Sequence, residues 1–221
     1  MTNAFVVAVD GPSGSGKSST ARGVADRLGF AYLDTGAMYR AVTWAVLRRG
    51  IDTADAGAVA GVMDQIEITS GTDPLAPTIA ADGVDVSVEI RGDEVTAHVS
   101  PVAVVPEVRA ALVARQREII AAAAGGIVVE GRDIGSTVAP DAPVKIYLVA
   151  DPEARAARRA AEVGATDTAS TAASLARRDH IDSSRATSPL VKSDGAVEID
   201  STYLTLEEVV ATIVAIVEER R

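Results

Sequence analysis

The stretch Gly11-Pro12-Ser13-Gly14-Ser15-Gly16-Lys17-Ser18 fits G-x-x-x-x-G-K-[ST] and follows directly on the apolar run Ala4 to Val9. A strand that runs into such a loop and then into a helix has few alternatives to a phosphate-binding turn. Glycines let backbone N–H groups turn inward on phosphate oxygens, Lys17 can reach the β- and γ-phosphates of a nucleoside triphosphate, and the Ser18 hydroxyl can ligate Mg²⁺. The helix expected after Gly16 adds the partial positive charge of its N-terminus. With 18 Gly and three Lys in 221 residues, the pattern arises by chance at on the order of 1 in 10⁵ starting positions.

The rest of the chain reads as one α/β domain with insertions. Strand-length apolar runs occur at Phe5 to Val9, Phe30 to Leu33, Ile127 to Val129, Val144 to Val149 and Ala196 to Ile199. Between them, Gly16 to Leu28, Gly36 to Arg48, Val102 to Ala124, Pro152 to Val163 and Leu206 to Glu219 place apolar residues three and four apart, as helices do. Strand and helix in alternation imply a mostly parallel sheet covered on both faces. Two segments break the rhythm. From Ile66 to about Val88 the chain predicts short strands around turns, with Gly71-Thr72-Asp73-Pro74 and the hairpin dipeptide Asp82-Gly83 as signals. From about Gly164 to Pro189 it is polar and rich in Ser, Thr and Arg, the composition of a mobile flap over a phosphate site; an ordinary surface loop is the alternative for Gly164 to Ser174.

Composition narrows the partners. The formal net charge of −10 has the wrong sign for a protein whose affinity comes from a nucleic-acid backbone. An anionic substrate must be held by local positive charge, and 18 of the 21 basic residues are Arg, which forks onto phosphate oxygens. Zero Cys removes disulfides, thiolate metal sites and cysteine nucleophiles together. No basic-then-apolar leader and no uncharged apolar stretch of spanning length occurs, so a cytoplasmic protein without a membrane partner is expected. A monomer is expected as well, since no long exposed apolar helix stripe is left unassigned.

Two further motifs sit where ligands collect in open α/β sheets. Asp34-Thr35-Gly36-Ala37-Met38-Tyr39-Arg40 ends the second strand and opens a helix, with Arg40 facing the crevice of Lys17; the alternative is a helix cap by Asp34 or Thr35 with Arg40 on a solvated face. Glu130-Gly131-Arg132-Asp133 follows a buried strand, where a carboxylate serves Mg²⁺ or water, and Glu130 is that carboxylate by position. A mutual surface pair is the alternative for Arg132 and Asp133. Arg178, Asp182 and Arg185 share one helix face, and Arg155, Arg158 and Arg159 crowd another, an arrangement costly by self-repulsion unless an anion arrives between them. His98 and His180 are the only histidines, and both read as ordinary polar positions. No base is needed if the acceptor is a phosphate monoester, whose second pKa near about 6 leaves it a dianion at neutral pH.

Taken together, Asp10 to Ser18, Asp34 to Arg40, Glu130-Gly131-Arg132-Asp133-Ile134-Gly135 and Pro140-Asp141-Ala142-Pro143-Val144-Lys145 make the chain resemble bacterial cytidylate kinases over essentially its whole length. The resemblance implies a five-stranded parallel P-loop core in residues 1–61 and 101–221, an acceptor-binding β-rich insert at 62–100, and an Arg-bearing lid at about 155–185. It implies ATP held by Gly11, Pro12, Ser13, Gly14, Ser15, Gly16, Lys17, Ser18 and Ser19, with Mg²⁺ at Ser18 and Glu130 as a second candidate ligand. Ser100, Arg109 and Asp133 match positions that read cytosine, and Thr35 lies in the same acceptor site. Arg40, Arg132 and Arg185 match those that grip the CMP phosphate, and Tyr39, Arg178 and Asp182 those near the ribose. Lys17, Arg132, Arg155, Arg158 and Arg185 would face the transferring phosphoryl group. Thr35 stands where the family often has Ser, Glu130 where it can have Asp, and the lid is short. The implied reaction is direct in-line transfer from ATP to CMP or dCMP. The competing readings are a P-loop kinase for another small acceptor and a catalytically silent ATP-binding module. A guanine-specific switch is excluded because N-K-x-D needs an Asn and the chain's only one is Asn3.

Overall fold

The computed structural model describes residues 4–164, 167–184 and 189–221. Its centre is a five-stranded parallel sheet of β1 (Phe5–Asp10), β2 (Ala31–Asp34), β6 (Gly126–Gly131), β7 (Val144–Val149) and β8 (Val197–Asp200) in the order β2-β6-β1-β7-β8. β1 and β6 take the middle because Phe-Val-Val-Ala-Val-Asp and Gly-Ile-Val-Val-Glu-Gly are apolar on both faces, the pattern a strand covered on both sides requires. Alternate residues feed separate cores. Val6 and Ala8 point toward α2 (Thr35–Arg48) and α5 (Pro106–Ala122), with Leu33, Met38, Val42, Val108 and Ile127. Val7 and Val9 point toward α1 (Lys17–Leu28) and α8 (Leu206–Arg220), with Val24, Ile146, Leu148 and Ile213.

All five expected strands form, and parallel pairing brings every carboxyl-terminal tip to one edge of the sheet. The chain leaves β1 for β2, returns through β6 to fill the gap between them, and crosses to β7 on the other side of β1. A crevice therefore opens above β1 and its neighbours, and the three chemical motifs all border it.

The β-rich segment forms a three-stranded antiparallel sheet of β3 (Ile68–Ser70), β4 (Ile79–Ala81) and β5 (Val84–Asp85). Asp82 and Gly83 both take positive φ, 52° and 76°, so the expected hairpin turn is of the primed type that matches strand twist. Its Ile68, Ile79 and Ala81 join the core beside α2.

Two expectations change, and one short helix was not expected. The helix read from Val102 to Ala124 is two helices, α4 (Asp93–Ala103) and α5, bent by 98°. Pro106 forces the break: its ring disfavours helical backbone at Val105, which is extended, while Pro106 itself suits the first helical turn. The flap is also more regular than its composition suggests, since Thr168–Ser184 form helix α7, which packs against α6 (Pro152–Val163). Finally, α3 (Ala56–Ala60) is too short for periodicity to reveal. Among the described residues no single helix is long and apolar enough to cross a membrane.

Candidate active site

The loop from Gly11 to Gly16 joins the tip of β1 to α1, and its glycines answer steric demands. A Cβ on Gly11 would lie 2.1 Å from the Leu148 carbonyl oxygen of β7, and Gly16 caps α1 in the left-handed region at φ 87°. Lys17 opens the helix and folds back so that Nζ donates to the Pro12 carbonyl at 2.7 Å; the Ser15 hydroxyl donates to the same oxygen at 3.0 Å. Burial and the neighbouring charge of Arg132 bring the Lys17 ammonium down to about 7, against the opposing pull of Glu130 and Asp10.

Ser18 and Glu130 meet as the sequence anticipates, the serine Oγ donating to Glu130 Oε2 at 3.0 Å. The other carboxylate oxygen accepts from the Tyr32 hydroxyl of β2, and Thr35 Oγ1 donates to the Glu130 carbonyl at 2.7 Å. Burial first, then the charge of Asp34, pushes the Glu130 carboxyl up to about 7. A hydroxyl and one carboxylate beside a phosphate loop suit Mg²⁺, which takes hard oxygen ligands and completes its octahedron with water and substrate phosphate. Asp34 is the N-cap of α2, accepting the Ala37 N–H at 2.9 Å, so the capping alternative holds for that residue.

A cavity of about 470 Å³ faces the loop. Ser13 to Ser19 line one wall, while Thr35, Tyr39, Arg40, Ser100, Arg132, Asp133, Arg178 and Asp182 line the others, together with Arg158 and Arg159. Arg40 is not on a solvated face: Nη1 donates to the Ile90 carbonyl at 3.1 Å and to Thr96 Oγ1 at 2.9 Å. Burial, together with the charges of Arg178 and Arg159, draws its guanidinium down to about 9. Arg178 is drawn down to about 10 by burial and by Arg132, and its Nε is buried without a partner. Arg40, Arg132, Arg159 and Arg178 thus converge on one space.

Arg132 and Asp133 do not pair with each other as the surface alternative supposed. Arg132 Nε donates to Asp182 Oδ2 and its Nη2 to Ser13 Oγ, at 2.9 and 2.7 Å. Asp133 is buried in an ion pair with Arg109, whose guanidinium lies 5.8 Å over the Tyr39 ring. Arg109 reaches the cavity only through Asp133, and Gly11 and Pro12 stand behind its wall. Arg185 falls outside the described residues.

Arg155 and Arg158 are partnered, which relieves part of the repulsion expected from spacing, while Arg132 and Arg159 still weigh on the charge of Arg178. Arg155 pairs with Asp179 and donates to the Ser13 carbonyl at 3.0 Å, standing behind the loop rather than in the cavity. Arg158 donates to Ser201 Oγ at 3.0 Å and to the Ser201 carbonyl at 2.6 Å. Residue spacing on α7 could have marked Asp179, three before Asp182 on the same face. Asp10 was also missed as a functional position. Its carboxylate accepts the N–H groups of Ile134 and Gly135, both at 2.8 Å, and so ties the loop's strand to the turn after β6. The histidines are ordinary where described by a bond: His98 Nδ1 lies 2.7 Å from Thr53 Oγ1.

Residues 7–219 match the cytidylate kinase family. The chain is 56% identical over 218 residues to a cytidylate kinase of Streptomyces avermitilis, covering 99% of this chain and 94% of that one. A cytidylate kinase of Rhodococcus opacus is 52% identical over 223 residues, covering 99% and 97%. Among solved structures, a gluconokinase of Sinorhizobium meliloti superposes with a TM-score of 0.53 at 16% identity, covering 98% of this chain and 93% of the other, a likeness of fold.

Proposed function

The chain belongs to the cytidylate kinase family and is an ATP-dependent (d)CMP kinase, and from that premise we propose how its own residues carry the reaction. The observation that carries the proposal is the convergence of Arg40, Arg132, Arg159 and Arg178 on a cavity whose opposite wall is the phosphate loop. Clustered cations in a partly desolvated crevice are costly alone and favourable around a dianion.

In this reading the loop from Gly11 to Ser19 cradles the donor phosphates and Lys17 follows the phosphoryl group as charge moves onto the leaving oxygen. Arg40, Arg132 and Arg185 grip the CMP phosphate, Tyr39, Arg178 and Asp182 hold the ribose, and Ser100, Arg109 and Asp133 select the base, with Thr35 in the same acceptor site. Arg158 flanks the transfer from the lid, and Arg155, behind the loop in the empty protein, joins it once the donor is bound. The acceptor oxygen carries no proton to be removed at neutral pH, so alignment and charge stabilisation suffice and no covalent enzyme intermediate is needed. Ser18, with Glu130 directly or through water, would hold Mg²⁺, which neutralises part of the donor's phosphate charge when bound. Residues 62–100 act as the acceptor-binding insert and about 155–185 as the lid. The enzyme works in the cytoplasm as a monomer on small nucleotides, without a nucleic-acid or membrane partner.

A coupled assay of ADP release across CMP, dCMP, UMP, AMP and shikimate tests the reading. Turnover should be highest with CMP and dCMP; a higher kcat/KM with shikimate or AMP would refute it.

A further inference from the structure

Asp179 of α7 occupies an unusual position. Its Oδ1 accepts the Ser13 backbone N–H at 3.1 Å, and its Oδ2 takes the Arg155 guanidinium. The same Arg155 Nη1 donates to the Ser13 carbonyl at 3.0 Å, and Arg132 Nη2 holds the Ser13 hydroxyl at 2.7 Å. The Asp179 charge is also felt by Lys17, which it favours in the protonated form. One loop N–H, one guanidinium and a nearby ammonium are the donors that a phosphoryl oxygen seeks at the tip of such a loop.

We propose that Asp179 is a tethered stand-in for a phosphoryl group at the loop tip, holding Ser13 and Arg155 in anion-ready geometry until the donor displaces it. The proposal rests on the reading of residues 11–18 as the donor site. Its physical basis is competition: the single Ser13 N–H cannot serve a carboxylate and an entering phosphate at once, and the two anions repel beside Arg155 in a half-buried space. Asp182, three residues further along the same helix face, holds Arg132 in parallel, so α7 is moored to the loop tip and to the end of β6 by two carboxylates. Donor phosphates therefore loosen α7 before any closure over both nucleotides. Asp179 is a positioning residue: it shapes Arg155 and Ser13 and is absent from the transfer itself.

The test uses inorganic pyrophosphate as the probe, with affinity measured calorimetrically on the full chain and amide hydrogen exchange followed across Thr168–Ser184. If the carboxylate holds the cradle about nine-tenths of the time, its removal strengthens apparent affinity about tenfold. Asp179→Asn should therefore bind pyrophosphate about tenfold more tightly than wild type. Asp167→Ala removes the carboxylate that accepts the Ala169 and Ser170 N–H groups, each at 3.0 Å, and so loosens the start of α7 without touching the loop. Its affinity should be unchanged, and equal tightening in both variants would overturn the stand-in. In wild type, pyrophosphate should speed exchange across Thr168–Ser184; unchanged or slower exchange overturns the proposal, even if Asp179→Asn does not fold. Lys17→Ala separates the two readings. Binding that survives Lys17→Ala overturns the donor-site reading and the stand-in together, whereas Lys17-dependent binding that Asp179→Asn leaves unchanged overturns the stand-in alone.

Discussion

Replacing Asp133 with Asn probes base selection at the point where shape can contribute nothing, because cytosine and uracil differ only along their hydrogen-bonding edge. Cytosine presents an N4 amino donor and an N3 acceptor, while uracil presents an O4 acceptor and an N3–H donor. A buried carboxylate paired with a guanidinium complements the first and opposes the second, and here Asp133 and Arg109 are 6% and 4% exposed, too dry for water to rescue a mismatch. Each buried polar mismatch costs about 1–3 kcal/mol, so wild type should favour CMP over UMP by at least about 10- to 100-fold in kcat/KM. In Asp133→Asn the charge-assisted bond to N4 is lost, worth about 1.5–3 kcal/mol, and CMP activity should fall by about 10- to 150-fold. The new amide can turn its NH₂ toward O4 of uracil, so the CMP-to-UMP ratio should drop at least several-fold. Asn keeps an acceptor for Arg109, so the fold should lose less than the about 3–5 kcal/mol expected when one partner of a buried pair is deleted. Steady-state ADP release with both nucleotides, alongside thermal unfolding of each protein, reads these effects separately. Equal losses for CMP and UMP would refute base reading by Asp133 and leave it as a support for Arg109 and the turn after β6.

Lys17→Ala should lower kcat at least about 100-fold while far-UV circular dichroism stays unchanged, because the Nζ hydrogen bond is to the Pro12 carbonyl of its own loop; near-normal turnover would end the phosphate-loop mechanism. Arg132→Lys keeps the charge but cannot bridge Asp182 and Ser13 Oγ together, so the KM for CMP should rise and kcat fall by about tenfold or more in the ADP-release assay, and wild-type constants would show that the fork is dispensable. Burial, opposed by the Gly135 and Ile134 N–H groups, pushes Asp10 up from 3.8 to about 6. Since its folded value lies above the unfolded one, the stability it contributes is full below about pH 4 and is lost as pH rises through about 6, a change of about 3 kcal/mol. Carboxyl carbon NMR should show Asp10 titrating near pH 6, and a midpoint near 4 would contradict the burial argument.

What the sequence made legible follows from how local each signal is. The five strands could be read because each is a short apolar run bounded by turn residues, and Asp82-Gly83 because only a few dipeptides accept two positive φ angles. The Val102 to Ala124 helix was misjudged because apolar spacing continues through Val104-Val105 while a single ring at Pro106 breaks the backbone. At the site, Ser18 and Glu130 were foreseeable as companions because each belongs to a motif at the same sheet edge, whereas Arg109, on α5, was joined to Asp133 only by the family resemblance. The identity of the pairs around Ser13 was not. Arg132 follows β6, Arg155 lies on α6, and Asp179 and Asp182 lie on α7, so their meeting depends on helix packing that no spacing within one segment encodes.

That same packing resolves the tension between a net charge of −10 and a polyanionic pair of substrates. The acids that matter locally are not spread over the surface: Asp10, Glu130, Asp133 and Asp182 are buried beside the site, and Asp179 stands half-buried against the loop tip. Asp133, Asp182 and Asp179 each orient a particular guanidinium, while Asp10 and Glu130, bonded to backbone N–H and hydroxyl groups, favour the charge of the Lys17 ammonium. The arrangement is preorganised, with bonds to Ser13, Asp182 and Asp179 already formed before any phosphate arrives. Arg40, whose charge is disfavoured by burial and by Arg178, and Arg178, whose charge is disfavoured by burial and by Arg132, are the exceptions. They are where an entering dianion gains most, because it relieves a repulsion that the protein leaves standing.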